Sequence, residues 1–292
     1  MNLHETSTRA AVVAGQFYPG DAKTLRRTVD EFVGVAAQET LANRVFGLIV
    51  PHAGYRYSGA VAGKAYASIL GQSNRFTRAV VLAPSHTVGM DGVALAPHSG
   101  LQTPLGTVGV DIEACSELEK IGQEVVVNSE KAHAREHSLE VQLPFLQTVL
   151  PQAKIVPAVC GQMKRRSIWQ AADTFVSLWD DQTLWVVSSD FTHYGFSFGY
   201  VPFHDNVEEG LRELDLGAVE KVTELDAEGF FNYVERTGAT ICGSVPITLF
   251  LRVLQLSGAP IQARLVEYTT SGAMTGDFEH SVSYASILFS ED

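Results

Sequence analysis

The sequence predicts an α/β fold: one domain built on a mixed, largely parallel sheet flanked by helices. Three observations carry this. Apolar, β-branched runs recur at LIV (48–50), AVVLAP (79–84), KIVPAVC (154–160) and LWVV (184–187), which suits strands covered on both faces. Stretches with helical spacing alternate with them, as in a parallel sheet with crossover helices. No Pro/Ser/Gly-rich linker or internal repeat divides the 292 residues, so the expected domain is 1–292.

Taken in order, Asp21 is a helix cap, followed by Leu25, Val29, Phe32 and Val33 at helical spacing. A strand follows at 46–50, then a small-residue helix from Ser58 through Leu70. The 79–86 run is the second strand, and GVALAPHSG (92–100) and GTVGV (106–110) read as two short ones. Helices are expected over 112–121 and, capped by Ser138, over 138–150, with Pro144 kinking the latter or confined to its first turn. KIVPAVC is a strand, RRSIWQAADTFVSLW (165–179) an amphipathic helix, and LWVVSSDFTH (184–193) a strand ending in polar residues. A helical region from Asn206 to Leu256 precedes late strands at ARLVEY (263–268) and SVSYASILF (281–289).

Composition narrows the function. Hydrophobic residues at 46% and charged residues at 18% match a well-cored globular protein. A net charge of −12 excludes a general nucleic-acid binder, because no basic stripe exists to release phosphate counterions. Cys115, Cys160 and Cys242 are too few and odd in number for a disulfide framework, which favours a reducing compartment. The opening MNLHETSTRA has no signal-peptide core, and no apolar run approaches the roughly 20 residues of a membrane span. A cytoplasmic protein with no membrane partner is the expectation.

Three predicted strands run into PHAGY, PSHTVG and SSDFTHYG, placing His52, His86, Asp190 and His193 beyond strand ends. Ligands in open α/β sheets bind there. Neutral imidazole is the commonest metal-ligand side chain, so a shared metal pocket is the reading. Cys242, just before a helical stretch whose N-terminal dipole favours thiolate, is on offer as a third ligand; a small buried hydrophobe is the plainer alternative for it. If catalysis occurs, His193 is the acid/base, with Asp190 fixing its tautomer or bonding a bound water.

PHAGYRYSG, PSHTVG, EHSLEVQLPFLQ, SSDFTHYG, GATICG and YTTSGAMTGD together resemble the Memo family, from AGQFYPGD at 14–21 to VSYAS at 282–286. The resemblance implies a fold similar to LigB-type extradiol dioxygenases, which are non-haem iron enzymes. By matching position it also implies that His52, His86 and Cys242 form the metal site and that Asp190 and His193 line the same pocket. Glu136 and His137 would stand beside it, orienting ligands or moving protons. LigB-type enzymes use a carboxylate where this chain has a cysteine, so zinc or copper stand beside Fe(II) as the cofactor. Ring-opening activity does not transfer with a fold. Prokaryotic members tend to accompany a radical-SAM protein and an Ammecr-type protein, and animal members are associated with peptide binding, so the partner is an unnamed small molecule or peptide.

Other constellations compete. HAREH (133–137) fits H-x-x-E-H, the inverted zinc-protease pattern, with His133 and His137 as ligands and Glu136 as base. Ser188, Ser189 or Cys242 with His193 and Asp190 would make a hydrolase, although the G-x-S-x-G elbow is missing. A binding module using the same pocket without turnover is the remaining class. His4, His98, His204 and His280 lack a supporting constellation and are expected on the surface or in loops. Tyr55 and Tyr57 could wall the pocket, and exposed aromatic loops could support homo-oligomers.

Overall fold

The computed structural model describes residues 7–36 and 43–292; His4 falls outside them. In chain order come β1 (Thr8–Arg9), α1 (Ala22–Ala36), β2 (Val45–Val50), α2 (Tyr55–Ala67), β3 (Arg78–Pro84), β4 (Val93–Leu95), β5 (Gly100–Thr103) and β6 (Gly106–Gly109). They are followed by α3 (Ile112–Ile121), β7 (Val126–Asn128), α4 (Glu130–His133), α5 (Leu143–Val149), β8 (Lys154–Cys160), α6 (Arg165–Phe175), β9 (Thr183–Ser188) and β10 (His193–Tyr194). The chain continues through α7 (Val207–Thr223), α8 (Ala227–Thr237), α9 (Ser244–Ser257), β11 (Ile261–Thr270), α10 (Ser271–Thr275) and β12 (Ser281–Glu291).

The apolar runs form the inner sheet. β2, β9, β3 and β8 lie side by side and parallel, with Ile49 and Leu82 both opposite Val187. Every residue of β2 and β9 is buried, which is why both read as unbroken apolar stretches rather than alternating ones. Antiparallel strands extend the sheet: β12 on β2, β11 on β12, and β4 on β8, with β7 parallel to β4. β1, β5 and β6 make a separate small sheet.

Two helical groups cover the sheet. α2 packs on β2 and β12 and carries α1 and α5. Its Tyr66 stacks on Phe145 of α5, with ring centroids 4.9 Å apart. α9 packs on β3 and β9 and carries α6 and α8, with Phe250 stacked at 5.8 Å on Trp185. Asp21 caps α1 through the Thr24 N–H at 2.9 Å, and α3 has the expected bounds. Among the described residues no helix is long and apolar enough to cross a membrane.

Several expected boundaries move. α2 starts at Tyr55, because the Ser58 hydroxyl donates to the Ala53 carbonyl at 2.8 Å instead of opening a helix. Ser138 caps nothing: its hydroxyl donates to the Pro84 carbonyl at 2.8 Å, and one 3-10 turn (Glu140–Gln142) intervenes before α5. Pro144 then falls in the first turn of α5, where its missing N–H costs no helical bond. The 184–193 run breaks after Ser188, and His193 opens β10, which pairs with the start of β12. Tyr55 is core rather than pocket wall, its hydroxyl donating to the Val141 carbonyl at 2.8 Å.

Candidate metal centre

Because β2, β9 and β3 are parallel neighbours, their carboxyl ends open on one side of the sheet. Pro51 and His52 follow β2, Ser85 and His86 follow β3, and Ser189 and Asp190 follow β9. The segment between α4 and α5 is fastened over these ends. Ser138 reaches the Pro84 carbonyl, and the Gln142 amide donates to the Pro51 carbonyl at 2.9 Å. That fastening brings in His137. The rings of His52, His86 and His137 have centroids 5.3, 5.6 and 4.7 Å apart pairwise. One nitrogen from each lies within 4.8 Å of the others, a group able to hold a metal ion.

Hydrogen bonds assign the ring protons. Ser188 gives its hydroxyl proton to the Ser138 carbonyl at 2.7 Å, so its oxygen accepts from the Gln142 amide and from His52 Nδ1, each at 2.9 Å. His52 therefore carries its proton on Nδ1 and leaves Nε2 bare. Glu136, fully buried, lies 2.9 Å from His86 Nδ1 and leaves the His86 Nε2 bare in the same way. Fixing the tautomer through the distal nitrogen is how proteins prepare imidazole ligands. Burial pushes the Glu136 carboxyl up, but the His86 contacts and the Ser138 N–H outweigh it and hold the group at about 2. Burial, then the neighbouring histidines, lower His52 and His137 below the usual imidazole value, keeping both neutral as ligands require.

Cys242 stands beside this trio. Its Sγ lies 3.3 Å from His52 Nε2 and accepts the Asp190 N–H at 3.3 Å. The group whose donors all converge contains His137, whereas the sequence reading had Cys242 in third position. Burial, then the Asp190 charge, push the Cys242 thiol well up, against the expected pull of the α9 helix dipole. Asp190 is itself pushed up by burial. Its Oδ1 accepts the His52 backbone N–H at 2.8 Å, and its Oδ2 lies 3.9 Å from His52 Nε2.

Other expectations are corrected. Asp190 does not set the His193 tautomer; His193 Nδ1 lies 3.0 Å from the Thr240 carbonyl, an obligate acceptor, so Nδ1 carries the proton and Nε2 is bare. The inverted zinc-protease pair does not form among the described residues. His133 is buried in α4 with Nε2 on the Ala94 carbonyl at 2.9 Å, and Glu136 spends its carboxylate on His86. Nor do the serines make a nucleophile: Ser188 serves His52, and Ser189 donates to the Asp190 carbonyl at 2.8 Å. His98 does lie in a loop as expected, between β4 and β5, although buried there with Nε2 2.8 Å from Glu130, and His204 and His280 are exposed. Gln142 went unnoticed in the sequence; the signal was an amide inside an apolar run, where only a paired polar group is tolerated.

A cavity of about 330 Å³ opens against His86 and Cys242, walled also by Ser85, Gly161, Thr240 and Ser244. The fold is thus an α/β sheet with an imidazole cluster beside the carboxyl ends of its parallel strands, the position at which open α/β sheets place their sites. The chain belongs to the Memo family: the family described as Memo-like protein matches residues 9–288. It is similar to a MEMO1 family protein of Thermococcus onnurineus, 33% identical, with 96% of this chain and 99% of the relative covered. A MEMO1 family protein of Methanopyrus kandleri is 34% identical, at 96% and 98% coverage. Among solved structures, the uncharacterized protein JW3007 of Escherichia coli K12 shares the fold at 13% identity. Its TM-score is 0.56, and 84% of this chain and 99% of that one are covered.

Proposed function

We propose that this protein binds one transition-metal ion through His52, His86 and His137, with the Cys242 sulfur as a further donor on the His52 side. The observation that carries this is the convergence of one nitrogen from each of three rings within 4.8 Å, with Ser188 and Glu136 fixing the tautomers of two of those rings through Nδ1. The donor set fits such an ion. Imidazoles suit iron, zinc and copper, and a neighbouring thiol adds a soft ligand for zinc or copper. Fe(II) is the working assignment, and the chemistry a ferrous ion supplies is a centre at which a small substrate and O2 can meet.

The residues themselves divide the work. Ser188 and Glu136 orient the rings, and Asp190 pins the backbone at His52 and Ala53. The cavity beside His86 and Cys242 receives the ligand. His193, protonated on Nδ1 against Thr240, offers Nε2 as the group that moves a proton.

Elemental analysis of protein purified without a chelating tag tests the site, comparing wild type with His52→Ala, His86→Ala, His137→Ala and Cys242→Ser. Loss of metal in the histidine variants is expected, and unchanged content in all four overturns the assignment. Anaerobic Fe(II) loading followed by O2 uptake over a panel of catechols tests turnover. Firm metal binding with no uptake turns the reading toward a binding module for those ligands.

A further inference from the structure

Of the three ligand rings, His52 and His86 are anchored at the ends of strands. His137 is not: it sits in an irregular segment between α4 and α5. Besides its bonds to Pro84 and Pro51, the segment that carries it is held from the other side by residues 8–18.

Arg9 of β1 is buried, and its guanidinium is spent on that segment. Nη1 donates to the carbonyls of His133 and Glu136 at 2.8 and 3.0 Å, and Nη2 pairs with Glu140. The fork therefore grips the backbone immediately before His137 and a side chain three residues after it. Glu140 is held in turn by the Val13 N–H at 3.0 Å and the Tyr18 hydroxyl at 2.7 Å, so the segment is tied back to the same stretch of chain. Phe17 lies against the His137 ring itself, with centroids 4.7 Å apart and planes inclined at 48°. Phe17 is fixed by its carbonyl, which accepts the Tyr55 N–H at 2.7 Å.

A buried ion pair is a weak source of net stability, because desolvation offsets the Coulombic gain. A guanidinium placed on two backbone carbonyls of a ligand-bearing loop sets a conformation. We propose that Arg9 and Phe17 are positioning residues for His137, the first fixing its backbone and the second its ring, so that residues 8–18 complete the three-imidazole group. This rests on the metal reading above.

The test is Zn(II) affinity, by chelator competition, of the full chain carrying Arg9→Lys or Phe17→Leu, with the visible spectrum of the Co(II) form and the metal-free Tm alongside. Lysine keeps the charge but lacks the fork. Each variant is expected to weaken Zn(II) binding about tenfold, as partners of ligands commonly do, and to alter the Co(II) bands. Leu118→Ala, a core truncation in α3 remote from residues 8–18 and from the His137 segment, is expected to lower Tm with affinity unchanged. Affinity within twofold of wild type in both positioning variants overturns the proposal. So does an equal loss in Leu118→Ala, which would mark the effect as general stability. If Arg9→Lys does not fold, Phe17→Leu decides. Wild type that takes no Zn(II), or His137→Ala that binds as tightly as wild type, overturns the metal reading and this inference with it. Tight wild type and weak His137→Ala beside unchanged positioning variants overturns this inference alone.

Discussion

Glu136 holds His86 at two points, its Oε2 taking the backbone N–H at 2.6 Å and its Oε1 lying 2.9 Å from Nδ1. One carboxylate thus sets both where the chain turns after β3 and which nitrogen of the ring is bare. The same Oε1 accepts the N–H groups of His137 and Ser138, each at 3.1 Å.

Glu136→Gln is expected to weaken metal binding about tenfold or more, since the neutral amide no longer polarises the His86 ring. The amide must also oppose its own N–H to one of these donors, and an unsatisfied buried donor costs about 1–3 kcal/mol. Zn(II) competition titration and denaturant unfolding of the metal-free protein read the two effects separately. Unchanged affinity would remove Glu136 from the site.

His133 makes stability depend on pH in a defined window. Burial, above all, lowers it from 6.5 to about 4, even though the Ala94 carbonyl pulls the other way. Between these values the unfolded chain binds a proton that the folded protein does not. The stabilisation is therefore complete above pH 6.5 and declines as pH falls toward 4, by about 3 kcal/mol in all. His133→Gln, whose amide can still donate to Ala94, should flatten this part of a stability-against-pH curve. A slope equal to that of wild type would show that another group carries it.

Gly243→Ala tests how closely α9 is seated on the site. A Cβ there would lie 2.3 Å from the Ser189 Cβ and Oγ and 3.0 Å from the Ser188 carbonyl, so the backbone next to Cys242 must shift. The cost is expected at about 1–3 kcal/mol, read as a lower denaturant midpoint. The sulfur–cobalt charge-transfer band of the Co(II) form should weaken as Sγ leaves His52. Gly71→Ala, with nothing within 4 Å of the added methyl, should change stability by less than about 0.5 kcal/mol.

The parallel core was legible because β2, β3, β8 and β9 are apolar enough to be buried on both faces, and a proline followed by a histidine marks where two of them stop. His52, His86 and Asp190 could be placed at strand ends for that reason. His137 was harder to read. Its neighbours spell a zinc-protease pattern and a helix cap, and only the folded chain shows Ser138 bonding to Pro84 and Glu136 to His86. β10 owes its conformation to β12, a partner distant in the chain, which local pattern does not carry. The bonding of His193 to Thr240 is equally invisible along the chain, because the two meet across 47 positions.

β12 lies between β11 and β2, with Leu288 opposite Leu48 and Ile287 opposite Ile49. It is also the latest of the described strands in chain order. As the polypeptide leaves the ribosome, β2, β9, β3 and β8 can assemble while the flank of β2 that β12 will occupy stays bare, presenting a greasy, unpaired ladder to any neighbour in the crowded cell. Until the β11–β12 hairpin is made that edge is open to association, and a translation pause before residue 281 is expected to prolong the exposure.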